Sequence, residues 1–255
     1  MSDFIIGGWT QKLTNQPPNG FSYTMYGMIT NLSGLTSGTV NNPGWSPTQE
    51  TAPAANSSSV LWTYGGGLCS PNAMPSSQDE IDQIVECTID KQWQGVDVDD
   101  ECNMDINNIV TMMQQLKSRN ANLTTSYTFL AGWDYNNPAA SQHGQAINNS
   151  VTQIANADAA DRYILMCYAS AMWSQTDIEN NVAAAIDRTI NTNGVPKKKV
   201  ILALTPRGLD DWNLDYFLDQ VINFDIGGLF IWDFTSLSSS DLNTIETRLG
   251  IQVQS

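Results

Sequence analysis

The chain has 255 residues, of which 41% are hydrophobic, enough to bury a sizeable core in one domain. Lys and Arg number 11 against 26 Asp and Glu, a net charge of −15 that repels nucleic acid and anionic membranes but tolerates neutral partners such as sugars. No run of about 18 apolar residues spans a bilayer, and Met1-Ser2-Asp3 leads into an apolar stretch without the basic lead of a signal peptide. A processed secreted protein would look the same.

In chain order, short β-rich runs alternate with longer helix-compatible segments. Phe4 to Trp9 reads as a first strand, Ser22 to Ile29 as a second, and Val60 to Tyr64 as a third, ending in Gly65-Gly66-Gly67. Trp93 to Asp99, Leu123 to Leu130 and Tyr163 to Tyr168 follow, then Val200 to Leu204 and Gly228 to Trp232. Runs of about 5–8 residues suit strands better than helices. Between them, Ile81, Ile84, Val85 and Ile89 repeat at helical spacing after Ser77, as do Ile106, Ile109, Val110, Met113 and Leu116. Gln175 to Ile190 and Asn213 to Ile222 behave likewise, and Ser239-Ser240-Asp241 reads as the cap of a last helix, Leu242 to Leu249. Residues 33–59, rich in Pro, Gly, Ser and Asn, read as one long loop. Eight strands alternating with helices imply parallel βαβ units. The eightfold count favours a closed (β/α)₈ barrel formed by the whole chain as one domain, residues 1–255.

The most informative stretch is Trp93 to Glu101. Strand side chains alternate faces, so Asp97, Asp99 and Glu101 share one face, the barrel interior, while Val96, Val98 and Asp100 face the helices. Carboxylates crowded on an interior face raise one another's pKa, as a general acid near neutral pH requires. Strand ends at the C-terminal rim are where barrel enzymes place their chemistry. A calcium loop also begins D-x-D, but Cys102 and Asn108 stand where its Gly and final Glu belong. With one histidine, His143, and no C-x-x-C pair, a zinc site is not expected; no metal or cofactor is.

Gln94-Gly95-Val96-Asp97-Val98-Asp99-Asp100-Glu101 resembles the D-G-x-D-x-D-x-E motif of glycoside hydrolase family 18, with Gln94 in place of the first Asp. Thr63-Tyr64-Gly65-Gly66 is similar to the family's S-x-G-G, and Met166-Cys167-Tyr168-Ala169 to its M-x-Y-D. The run Gly227 to Trp232 is similar to its eighth strand. The resemblance implies retaining, substrate-assisted hydrolysis of β-1,4-linked N-acetylglucosamine. Glu101 would be general acid and base, Asp99 would orient the substrate acetamido group, and Asp97 would share a proton with Asp99. Tyr168 would bind the acetamido carbonyl, and Trp232 would floor the sugar site. Trp9, Trp133, Gly65, Gly66 and Met166 complete the expected substrate-binding set. Trp9, Trp133 and Trp173 read equally as subsite or packing residues, and the glycine pair equally as a plain turn or a point of close backbone approach.

The run Val96 to Glu101 is also similar to endoglycosidase H, which makes cleavage of the N-glycan chitobiose core the alternative activity. A carbohydrate-binding protein without catalysis is a third reading. The expected partner is an N-acetylglucosamine-containing glycan, with no nucleic acid and no membrane, and the expected state is a monomer. The family favours secretion. Cys69 and Cys102 follow adjacent strands and are placed for a disulfide, whereas Cys87 and Cys167 read as buried thiols. Sequons stand at Asn31, Asn56, Asn122 and Asn148.

Overall fold

The computed structural model describes residues 3–29, 32, 58–67, 75–168 and 174–251. Cys69, Ala169, Trp173, the Asn31 and Asn56 sequons, and nearly all of the long loop at 33–59 lie outside these residues.

Eight parallel strands close into a barrel in the order β1 to β8. They are β1 (Ile5–Thr10), β2 (Tyr23–Ile29), β3 (Ser59–Gly65), β4 (Gly95–Asp100), β5 (Thr124–Leu130), β6 (Arg162–Met166), β7 (Val200–Leu204) and β8 (Gly228–Trp232). β1 pairs with β8 from Ile5↔Gly228 to Trp9↔Trp232. Each strand therefore falls where the alternation of sequence character places it, within about one or two residues at most ends.

Seven α-helices are described: α1 (Gln78–Asp90), α2 (Ile106–Arg119), α3 (Trp133–Asn136), α4 (Gln142–Asn156), α5 (Gln175–Asp187), α6 (Asp211–Phe224) and α7 (Ser239–Leu249). Ser77 caps α1 by accepting from Glu80 N, and Asp105 caps α2 through Asn107 N and Asn108 N. α7 starts earlier than its pattern suggests, because Ser238 rather than Ser239 is the cap; Ser238 and Asp241 form a reciprocal capping box. α4 has no counterpart in the sequence reading. Its buried stripe of Ile147, Val151 and Ile154 is thin within a run of Gln, Asn and Ser. The expected Gln175 to Ile190 helix is α5, continued by a π-helical turn at Arg188–Thr192.

Two apolar layers hold the barrel. Trp9, Met25, Leu61, Ile164, Ile201 and Phe230 fill its interior. The outward strand faces, including Val96, Val98, Tyr127 and Leu202, pack against the helices. Burial of such side chains stabilises by about 1.5–3 kcal/mol each. Gly95 and Gly228 let neighbouring strands approach: a Cβ would stand 2.0 Å from Thr124 O at the first and 1.9 Å from Ile5 O at the second. Between β7 and β8 only α6 intervenes, so no extra subdomain walls that side. Among the described residues, no helix is long and apolar enough to cross a membrane.

Candidate active site

β4 carries the candidate site, and its pleat sorts the acidic residues as the alternation predicts. Asp97 is fully buried and takes four hydrogen bonds. Oδ2 accepts from Trp9 Nε1 and from Thr63 Oγ1, each at 3.0 Å. Oδ1 accepts from Ser126 Oγ at 2.6 Å and Thr128 Oγ1 at 2.8 Å. These donors come from β1, β3 and β5, and the register places Thr63 and Ser126 directly beside Asp97. Burial pushes the Asp97 pKa up while the four bonds pull it down. Four donors match the lone-pair capacity of a carboxylate. Sharing a proton with Asp99 therefore requires one of them to turn away.

Asp99 sits one pleat nearer the rim, 2% exposed. Its Oδ1 is buried without a hydrogen-bond partner. Burial raises its pKa well above the usual carboxylate range, and the charges of Glu101, Asp97 and Asp100 add to this. Glu101 follows the strand end and is half-buried. Burial and the nearby Asp100 raise its pKa, and a bond from the Gly67 backbone N–H opposes them. Tyr168 follows β6 and packs against the interior apolar layer. Burial, then the charges of Asp99 and Glu101, keep its hydroxyl protonated far above the ordinary range. The site thus presents a deep fixed carboxylate, a carboxyl held toward its neutral form with an unused oxygen, a second raised carboxyl, and a phenol donor.

Gly65 and Gly66 shape the opposite side. Both have positive φ, 105° and 95°. A Cβ on Gly65 would stand 2.1 Å from Asp99 O, and Gly66 N donates to that same oxygen at 2.9 Å. Of the two sequence readings, close backbone approach describes this turn. Gly67 lies against the Glu101 carboxylate: a Cβ there would meet Oε2 at 3.2 Å.

The remaining expected residues are placed less uniformly. Trp232 ends β8, is partly exposed, and packs on the interior layer. Trp9 is 1% exposed, with its indole N–H committed to Asp97, so it supports the site from beneath and offers no stacking face. Met166 is likewise buried, 3% exposed, in the interior layer. Trp133 opens α3 and is 50% exposed, at the rim. Cys102 is disulfide-bonded, and Cys167 is a buried thiol whose pKa burial raises. Sequence reasoning gave no role to Ser126, Thr128 or Gly67, and it read Thr63 only as part of the third-strand motif. The signal for Ser126 and Thr128 was a strand with hydroxyls on its inward face, next to the acidic strand.

No protein-family model and no curated protein matches the chain. Solved structures do. The chain is 15% identical to a class V chitinase variant from Nicotiana tobaccum in complex with NAG4, covering 97% of this chain and 99% of that one, with a TM-score of 0.66. The Legionella pneumophila ChiA C-terminal domain is 14% identical, with coverage of 95% and 96% and a TM-score of 0.67. A fungal endo-beta-N-acetylglucosaminidase from glycosyl hydrolase family 18 is 16% identical, with coverage of 96% and 95% and a TM-score of 0.63. The fold is therefore that of a closed (β/α)₈ barrel. At 14–16% identity the likeness is one of fold, a closed barrel shared with these three structures over nearly the whole chain.

Proposed function

We propose that the protein is a chitinase-like glycoside hydrolase that cleaves β-1,4-linked N-acetylglucosamine with retention, the substrate's own acetamido group acting as nucleophile. The observation that carries this reading is the Asp99–Glu101 pair at the end of β4. There, a buried carboxyl with an unpartnered oxygen lies beside a second carboxyl of raised pKa.

In this reading Glu101, protonated, gives its proton to the glycosidic oxygen as the bond to the anomeric carbon breaks. The acetamido carbonyl oxygen attacks that carbon, forming an oxazolinium ion. The unpartnered Asp99 Oδ1 accepts the acetamido N–H, and the negative charge of the Asp97–Asp99 pair offsets the developing positive charge. Tyr168 donates its O–H to the acetamido oxygen. Glu101, now a carboxylate, takes a proton from water as the water opens the ring, which restores the starting configuration. Asp97 holds fixed negative charge beneath Asp99, and Trp232 supplies an apolar floor. Gly65 and Gly66 keep the opposite wall low, Trp9 and Met166 support the floor from inside the barrel, and exposed Trp133 offers a stacking face to a flanking sugar.

A second reading, cleavage of the chitobiose core of N-glycans, is favoured by the run Val96 to Glu101, with Asp100 beside Glu101. Incubation with chitotetraose and with a high-mannose glycopeptide, beside Glu101→Gln, tests both. Wild type is expected to cleave chitotetraose, and Glu101→Gln to lose ~10²–10⁴-fold in rate. Cleavage of the glycopeptide alone would select the second reading. Binding without turnover would leave a lectin, and full activity in Glu101→Gln would remove the residue from its role.

A further inference from the structure

Asp100 is not part of the inward row. It ends β4 on the outer face, where a charged side chain has no contact with a substrate in the barrel mouth, yet it is only 8% exposed. Both of its oxygens are used. Oδ1 accepts from Met104 N at 2.9 Å, closing the turn that follows the strand, and Oδ2 accepts from Tyr127 Oη at 2.8 Å. Tyr127 is fully buried on the outward face of β5, stacked on Phe129 at 5.7 Å. Its hydroxyl stays protonated because burial and the Asp100 charge both oppose ionisation. A buried carboxylate with two good partners is a rigid tie, and removing it leaves those partners unsatisfied. The segment tied at both ends, residues 100–104, contains Glu101.

We propose that Asp100 is a positioning residue for Glu101, acting through the turn it closes with Met104 and through its anchor on Tyr127. The inference rests on the hydrolase reading above. The opposite side of the same turn is fixed independently, by Gly66 N on Asp99 O and by the Gly67 N–H on the Glu101 carboxylate. Glu101 is therefore held from two walls, β3 on one side and β5 on the other, and the Asp100 side chain ties its turn to the β5 wall. A chemical corollary follows from its charge. The groups that bear on Glu101 are Asp99 on the same strand, Tyr168 from β6, the Gly67 N–H from the β3 turn, and Asp100. Asp100 is the one negative charge of this set that its two donors hold in place on the outer face. It raises the Glu101 pKa without competing for the substrate.

The test uses the full chain and chitotetraose hydrolysis, with folding of each variant checked by thermal unfolding. Asp100→Ala is expected to lower kcat by ~10–100-fold with KM nearly unchanged, the pattern of a displaced acid rather than lost binding. Asp100→Asn keeps an acceptor for Met104 N and a partner for Tyr127, so it is expected to restore most of kcat. Because it removes the charge, it is also expected to move the alkaline limb of kcat/KM to lower pH. Tyr127→Phe keeps the charge and one tie. It is expected to lower kcat partially with the limb unmoved, and it carries the test if the alanine variant does not fold. An inactive wild type would remove the hydrolase reading and this inference with it. An active wild type with unchanged kcat in Asp100→Ala or Tyr127→Phe, or an asparagine variant no better than alanine, would overturn the positioning role alone.

Discussion

Ser126 and Thr128 show how the site holds charge at depth. Each donates to one oxygen of Asp97, and each leaves a buried acceptor short of a partner if its hydroxyl is lost. Ser126→Ala is expected to destabilise the barrel by ~1–3 kcal/mol, read from the urea midpoint at unchanged slope. Asp99 makes the opposite prediction. Its folded-state pKa lies above its unfolded value. Its contribution to stability is thus fully present below the unfolded pKa of about 3.9 and lost as pH rises through the raised folded value. Asp99→Asn is expected to melt higher than wild type near pH 7, with the gain vanishing toward pH 4 while activity falls. A gain that persists at pH 4, or a loss at pH 7, would contradict the sign. The row Asp97, Asp99 and Glu101 was legible because strand alternation alone puts those residues on one face. The hydroxyl donors were not, since Ser and Thr are ordinary strand residues and only the register of β5 against β4 brings them to Asp97.

Among the elements, β3 and its glycine turn are the least tolerant. Gly65 combines a φ of 105° with a Cβ position 2.1 Å from a backbone oxygen of β4. Gly65→Ala is expected to displace β4 at Asp99, with lost activity and a lowered melting temperature together. α6 offers a milder change: its capping box joins Asp210 to Asn213, and Asp210→Ala is expected to cost ~1 kcal/mol with activity retained. The strands were readable because their short apolar runs sit between clear breakers. α4 escaped because its apolar stripe is only one residue wide per turn, and the α7 start shifted because three serines in a row offer equivalent caps.

Across the whole molecule, charge is sorted between the two ends of the barrel. Loops that lead into strands carry paired cations: Lys197 and Lys198 meet Asp225, and Lys199 meets Asp158. Among the described residues, the opposite rim carries Asp99, Asp100, Glu101, Asp134 and Asp211. Exposed bridges of this kind contribute ~0–1 kcal/mol each, so self-repulsion of a −15 chain is the larger electrostatic effect. Raising salt from about 10 mM to about 150 mM, which shortens the screening length from ~30 Å to ~8 Å, is expected to raise the melting temperature. A fall would mean that the bridges dominate. The Asp97 cluster carries a further meaning at this scale. Its donors arrive from β1, β3 and β5, so one carboxylate serves as a cross-brace over half the circumference of the barrel. Geometry and reactivity are then one variable. A sequence that drifts in the stagger of any of these strands loosens the brace and detunes Asp99 in the same step, so the scaffold cannot change shape there without the chemistry registering it.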